Sequence, residues 1–425
     1  MTNDVLWHPF TQMRGWNADD EVLIESAHGT TLTDTEGREY IDGISSLWCN
    51  VHGHRHPHID QAVRDQLDRV AHTTMLGLSH PGAVRLGEKL LDIAPDGLSR
   101  VFYSDNGSTA CEIALKMAFQ YWQHMGEQSR TKFVYLRNSY HGDTVGSVSV
   151  GGIDLFHHLY KPLLFEGFAV EPGDIDGLRH LLDEHRDEIA AVIVEPLIQG
   201  AAGILVQPEG YLRAVRHECD DHDLFLICDE VATGFGRTGT MFACQQEGVT
   251  PDFMTVAKGL TGGYLPLAAT LTTERVYEGF LGEHHEFKTF FHGHTYTGNP
   301  LACAAGIATL EVFEREDTLG TLAPKIDQLW RWLDELVAPL GCVAEIRGKG
   351  FMVGIELTGF ALEDRIGHQV TLAARRLGAI LRPLGDTIVL MPPLAIKPGE
   401  LRRLVEITAG AIAEATGSVA LPLAA

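Results

Sequence analysis

Short, continuous apolar runs alternate with amphipathic stretches through the middle of this chain. The runs are Val101-Phe102-Tyr103, Phe133-Val134-Tyr135, Ala191-Val192-Ile193-Val194, Leu224-Phe225-Leu226-Ile227 and Phe253-Met254-Thr255-Val256. Their length and their β-branched and aromatic content predict strands buried on both faces. Between them, residues 110–122 and 211–222 place apolar side chains at helical spacing. This alternation predicts an α/β fold, a large mostly parallel sheet with helices on both faces. Helical spacing also occurs over 59–70 and 83–93, after a lead-in with short strands at Val22-Leu23-Ile24 and Glu39-Tyr40-Ile41. A long helical region over 299–339 precedes strands at Met352–Leu357 and Ile388-Val389-Leu390, which flank a helix over 365–377. The pattern predicts a large domain over 61–330 and a smaller α+β domain over 331–425. The lead-in, 1–60, is expected to contribute to the small domain and to the active site. There is no internal repeat and no low-complexity linker. The small, apolar tail over 417–425 is expected to be disordered.

In such sheets, ligands bind beyond the carboxyl ends of the strands. Polar motifs stand there repeatedly: Ser104-Asp105-Asn106-Gly107-Ser108, Glu195-Pro196, Asp229-Glu230 and Lys258. A strand-end lysine is usually a solvated terminus. Paired with a strand-end aspartate, it suggests a Schiff base with an aldehyde cofactor whose pyridine nitrogen the aspartate keeps protonated. Asn106-Gly107-Ser108-Thr109 lies between a strand and a helix. Its amides suit a phosphate, and Ser108 or Thr109 can add a hydroxyl donor; an ordinary helix cap is the plain alternative. In Asn138-Ser139-Tyr140-His141-Gly142, the Tyr140 ring can stack on a pyridine and its hydroxyl can reach the reacting centre. Only one of Asp229 and Glu230 can point into the crevice. The other needs a partner of its own, for which Arg237 is the candidate.

Composition narrows the function classes. At 425 residues and 45% hydrophobic content, the chain can bury an ample core. A net charge of -24 with no basic run argues against nucleic acid and anionic membrane surfaces. The seven cysteines are odd in number and never in C-x-x-C spacing, which indicates neither a disulfide framework nor a zinc site. His52, His54, His56 and His58 alternate, but Gly53 and Pro57 spoil a regular strand, so no metal is expected. No apolar stretch is long enough to span a bilayer, and residues 1–4 carry no signal-peptide pattern. A cytoplasmic location is the expectation.

Together, the motifs at 106–109 and 138–144, Asp229-Glu230-Val231-Ala232-Thr233-Gly234-Phe235-Gly236-Arg237-Thr238-Gly239 and Ala257-Lys258-Gly259 resemble the fold-type-I, pyridoxal-phosphate-dependent aminotransferases of class III. The resemblance covers nearly the whole chain. It implies pyridoxal 5'-phosphate as cofactor, with Lys258 as its covalent lysine, Asp229 as the pyridinium partner and Tyr140 stacked on the ring. Gly107 and Ser108 would hold the phosphate. His294 and Thr295 would complete the cofactor site, Thr295 from the neighbouring subunit, making a homodimer with shared active sites. Further segments resemble the branch of that family that aminates 8-amino-7-oxononanoate in biotin synthesis. These are Trp7-His8-Pro9-Phe10-Thr11-Gln12-Met13, Ser45-Ser46-Leu47-Trp48, His292-Gly293-His294-Thr295 and Leu381-Arg382-Pro383.

By that resemblance Arg382 would clamp the keto-acid carboxylate, Trp48 would line the substrate channel, and Phe10, Leu47, Tyr140 and Gly293 would also border the substrate. The amino donor would be S-adenosylmethionine or lysine. Members using S-adenosylmethionine show a tyrosine where this chain has Phe10 and a tryptophan where it has Leu47. These departures tilt the expectation slightly toward lysine. Two rival functions remain: a broad ω-amino-acid or polyamine aminotransferase, and a non-catalytic regulator that binds the cofactor. The segments at 7–13 and 45–48 speak against the first, and Lys258 against the second.

Overall fold

The computed structural model describes residues 5–16 and 21–418. The expectations about residues 1–4, and about 419–425 of the tail, lie outside the described residues. A seven-stranded sheet forms the centre. Its order is Leu98–Ser104, Ala268–Thr273, Phe253–Val256, Phe225–Asp229, Ile189–Val194, Lys132–Leu136, Phe168–Val170. Ala268–Thr273 pairs antiparallel with both neighbours, while the pairings among the last five strands are parallel. The sequence pattern does not reveal Ala268–Thr273. It is Ala- and Thr-rich, and its burial comes from the strands on either side.

Every residue of Ile189–Val194 and Phe225–Asp229 is buried. Fully burying one Val, Ile, Leu or Phe stabilises by about 1.5–3 kcal/mol, so helices covering both faces of these strands are what the run demands. One such helix is Gly107–His124. Asn106 and Thr109 close its capping box, and it buries Cys111, Ile113, Ala114, Leu115, Ala118 and Trp122. The region over 299–339 is two helices, Pro300–Arg315 and Thr318–Leu336. Asp317 adopts φ 45°, which breaks the helical path.

The beginning and end of the chain share a sheet. Glu39–Asp42 pairs with Thr31–Asp34 on one side and in parallel with Ala379–Ile380 on the other. The first strand is Ile24–His28, a few residues later than the apolar run at 22–24 suggests. A second sheet, Val343–Lys349, Met352–Leu357, Thr387–Leu390, Arg382–Leu384, is antiparallel and brings Arg382 toward the large sheet's carboxyl edge. Among the described residues, no helix is long and apolar enough to cross a membrane.

Candidate active site

A cavity of about 670 Å³ opens at the carboxyl ends of the central strands. Of the residues singled out in the sequence, Trp48, Gly107, Ser108, Tyr140, Asp229 and Lys258 all line it. Asp229 ends its strand in register with Thr255, and Lys258 follows three residues later on the neighbouring strand's path. Parallel pairing of those two strands therefore brings the amine and the carboxylate to one edge.

Asp229 is buried, and both of its oxygens are occupied. Oδ2 lies 2.7 Å from His141 Nδ1 and 3.4 Å from Cys111 Sγ; Oδ1 accepts from the Val231 amide at 3.0 Å and the Thr255 hydroxyl at 3.3 Å. Burial alone would raise the carboxyl's pKa. The His141 imidazole, with the Val231 amide and the Lys258 amine, more than reverses this, and the net shift is downward. The carboxylate is thus kept ionised in a low-dielectric site. Lys258 behaves inversely: burial lowers its pKa, against the pull of the Asp229 and Glu195 carboxylates. That favours a free amine, the nucleophilic form. Its Nζ lies 5.5 Å from the centroid of the Trp48 ring.

Gly107 and Ser108 stand in the first turn of Gly107–His124, where amides have no intrahelical partner. A Cβ on Gly107 would come within 2.6 Å of Val231 Cγ1, so glycine alone fits there. The hydroxyls of this turn are spoken for. Ser108 Oγ bonds the Thr144 hydroxyl and amide, and Thr109 Oγ1 bonds the Asn106 backbone. The turn therefore presents amides rather than the hydroxyl donors expected of it. Open amides, a nearby amine and an ionised carboxylate across one cavity fit a phosphate-bearing pyridine aldehyde.

The Tyr140 hydroxyl donates to Asp143 Oδ2 at 2.6 Å, and burial followed by that carboxylate pushes the phenol's pKa up. Beneath it, Glu195 accepts from the Tyr140 amide at 3.0 Å and the Gly200 amide at 2.9 Å. Burial raises the Glu195 carboxyl to about 7, outweighing the His141 imidazole and both amides.

The remaining expected residues stand apart from the cavity wall. His294 Nδ1 pairs with Asp105, a wall residue, at 2.8 Å. Gly293 and Thr295 are exposed. Phe10 and Leu47 are exposed too, although Phe10 meets Phe156 edge-on, which in turn meets Tyr140. Arg382 is part-buried close to Tyr140, whose phenol its charge draws down. No ion-pair partner faces Arg382 among the described residues, and burial lowers its pKa.

One expectation needs correction. Glu230 does not pair with Arg237. It accepts from the Thr233 hydroxyl and the Cys244 amide, while Arg237 donates to the carbonyls of Pro392 and Asn50. Glu230 does turn away from the cleft, just past the strand end, but there the Thr233 hydroxyl and the Cys244 amide reach it, while the guanidinium is held by backbone carbonyls of other segments. The alternating histidines diverge. His54 meets Asp42, His56 meets Glu316, His58 meets Glu311, and His52 meets the Thr309 carbonyl. Among the described residues, Cys111, His141 and Asp229 are the one group close enough to suggest metal ligands, and hydrogen bonding accounts for it.

Sequence reasoning assigned no role to His141, Cys111, Thr255 or Asp143. His141 sits inside a motif that it singled out. Cys111 is four residues after Gly107, one helical turn deeper along the same face.

Comparison with known proteins agrees with this geometry. The class-III aminotransferase family matches residues 15–412. The adenosylmethionine-8-amino-7-oxononanoate aminotransferase of Nitratidesulfovibrio vulgaris is 54% identical, over 97% of this chain and 80% of its own. The crystal structure of the enzyme so named from Methanocaldococcus jannaschii superposes with a TM-score of 0.94 at 44% identity, covering 96% of this chain and 97% of its own. An amine transaminase from an uncultivated Pseudomonas species, solved with pyridoxal phosphate bound, gives 0.92 at 35%, covering 97% and 99%. The chain belongs to the class-III aminotransferases, a pyridoxal-phosphate-dependent family of fold type I. The first two relatives carry adenosylmethionine in their names, and the tilt toward lysine finds no support in them.

Proposed function

We propose that this chain aminates 8-amino-7-oxononanoate to 7,8-diaminononanoate, in biotin synthesis, with S-adenosylmethionine as the amino donor. Arg382 is the observation that carries the acceptor. A part-buried guanidinium with no ion-pair partner among the described residues, beside a cavity-wall tyrosine, is a site prepared for a carboxylate. Its fork binds a carboxylate through two parallel hydrogen bonds.

Bound pyridoxal phosphate supplies an electron sink for the substrate carbon. Lys258 would hold it covalently, and its amine is the group placed to carry a proton at the substrate carbon. Asp229 keeps a positive charge on the pyridine nitrogen. Gly107 and Ser108 receive the phosphate on their amides. Tyr140 and Trp48 wall the reacting centre and exclude water, and Glu195 holds the Tyr140 backbone. Phe10, Leu47 and Gly293 border the substrate mouth, where Phe156 supports Phe10.

We take the enzyme to be a homodimer in which Thr295 and His294 serve the phosphate end of the site, Thr295 across the interface. Exposed Leu76 (89%), Phe291 (73%) and Tyr296 (60%) around this loop support a covered apolar face. Its domains are 1–60, 61–330 and 331–425, and it works in the cytoplasm.

The test is the donor half-reaction, followed as loss of the visible absorbance of the loaded enzyme. S-adenosylmethionine should convert it, with millimolar lysine and simple amines ineffective. Conversion by lysine alone overturns the donor. Efficient conversion by many amines, with no use of the nine-carbon keto acid, favours a broad amine transaminase instead.

A further inference from the structure

A carboxylate accepts about four hydrogen bonds. Asp229 already faces four donors: His141 Nδ1, Cys111 Sγ, the Val231 amide and the Thr255 hydroxyl. A pyridinium N–H arriving from the cavity is a fifth, so one must yield. The amide is fixed by the backbone, and the His141 contact is the shortest of the four. The thiol is the weakest donor and makes the longest contact. It also has somewhere to go. Cys111 Sγ lies 3.6 Å from Thr255 Oγ1. A thiol that turns to donate to Thr255 leaves the threonine hydroxyl free to go on donating to Asp229. No buried polar atom is stranded by the change.

We propose that Cys111 is a positioning residue that sets how strongly Asp229 holds the pyridine nitrogen, by giving up Asp229 in favour of Thr255 when the cofactor binds. This rests on the reading of Asp229 as the pyridinium partner. Donors sharing one acceptor weaken one another, so the thiol competes with the cofactor for Asp229 charge. Cys111 lies fully buried behind the carboxylate. The thiol stays protonated, because burial and the adjacent Asp229 push its pKa up. It acts as a donor throughout.

The competition predicts opposite signs for two substitutions of similar size. Cys111→Val removes the competing donor. Apo-enzyme titrated with pyridoxal phosphate should bind it about three- to tenfold more tightly, and the pH transition of the bound cofactor's absorbance should move up. Cys111→Ser offers a stronger donor that resists displacement, so binding should weaken by a similar factor and the transition should move down. If Cys111 only fills space, both variants weaken binding. That result, or no change in either, overturns the proposal. If Cys111→Val fails to fold, as judged by the melt of the apo-enzyme, Cys111→Ala reads the same sign. Asp229→Asn separates the two levels. It should weaken cofactor binding far more than any Cys111 variant; unaltered binding would instead remove Asp229 from the pyridine nitrogen.

Discussion

The indole of Trp48 stands with its ring centroid 5.5 Å from Lys258 Nζ, and both residues hold their backbones in the left-handed region. Trp48 is the last of four consecutive residues, Ser45 to Trp48, with positive φ. Non-glycine residues held there cost on the order of 1 kcal/mol or more each, so the surroundings must impose the shape. Asp42 does much of this. Its carboxylate accepts from the Ser46 amide and hydroxyl and meets His54 Nε2. The strained turn is thus fixed from the sheet that joins the two chain ends, and it delivers an aromatic wall to the Lys258 amine.

Arg382 carries the acceptor assignment. Arg382→Ala should lower kcat/KM for the keto acid by about 2–4 kcal/mol, with cofactor loading intact. Arg382→Lys should recover only part of the loss, because an ammonium cannot copy the fork. Steady-state kinetics with the keto acid varied at saturating donor checks both.

Glu195 should make stability depend on pH. Its carboxyl titrates near 7 in the folded protein, against 4.5 ordinarily. Between those values, the folded state binds the proton that the unfolded state has released. Its contribution is therefore fully present below the unfolded value and is lost as pH rises through 7. The slope reaches up to about 1.4 kcal/mol per pH unit. Glu195→Gln should flatten this part of the Tm profile between pH 5 and 7, as measured by melts of the holoenzyme in matched buffers. An unchanged slope would show that Glu195 is not its source.

Gly142 brings the Tyr140 loop against the turn at Ser108. Its φ is +118°, and a Cβ would sit 2.3 Å from Ser108 Oγ. Gly142→Ala should destabilise by about 2 kcal/mol or more and weaken cofactor retention, because the turn that it displaces carries the Gly107 and Ser108 amides proposed to receive the phosphate. Melting of the apo-enzyme and equilibrium dialysis of the cofactor report the two effects separately.

Shared sites should allow complementation. Lys258→Ala and Thr295→Asp chains are each expected to be inactive, the second because it sets a carboxylate against a phosphate. Dissociated together and reassociated, they should regain roughly a quarter of wild-type activity, since half of the dimers are mixed and one of their two sites escapes both lesions. No recovery in mixed dimers, shown to form by differential tagging, would place Thr295 in its own subunit's site.

The sequence by itself determined the strand–helix alternation, the strand end at Asp229, the place of Lys258 just past the neighbouring strand, and the helix start at Gly107. These are local matters. Continuous apolar runs have few alternatives to a buried parallel sheet, and a polar residue at the end of such a run must emerge at its edge. The tertiary structure alone decided who meets whom. Ala268–Thr273 enters the sheet only because its neighbours bury it. Glu230 meets Thr233 and Cys244 rather than Arg237 because the fold sets those donors against it and sets Arg237 against the carbonyls of Asn50 and Pro392. Cys111, His141 and Thr255 come from a helix, a loop and a neighbouring strand. They converge on Asp229 through sheet order and helix packing, long-range relationships that no local spacing along the chain records.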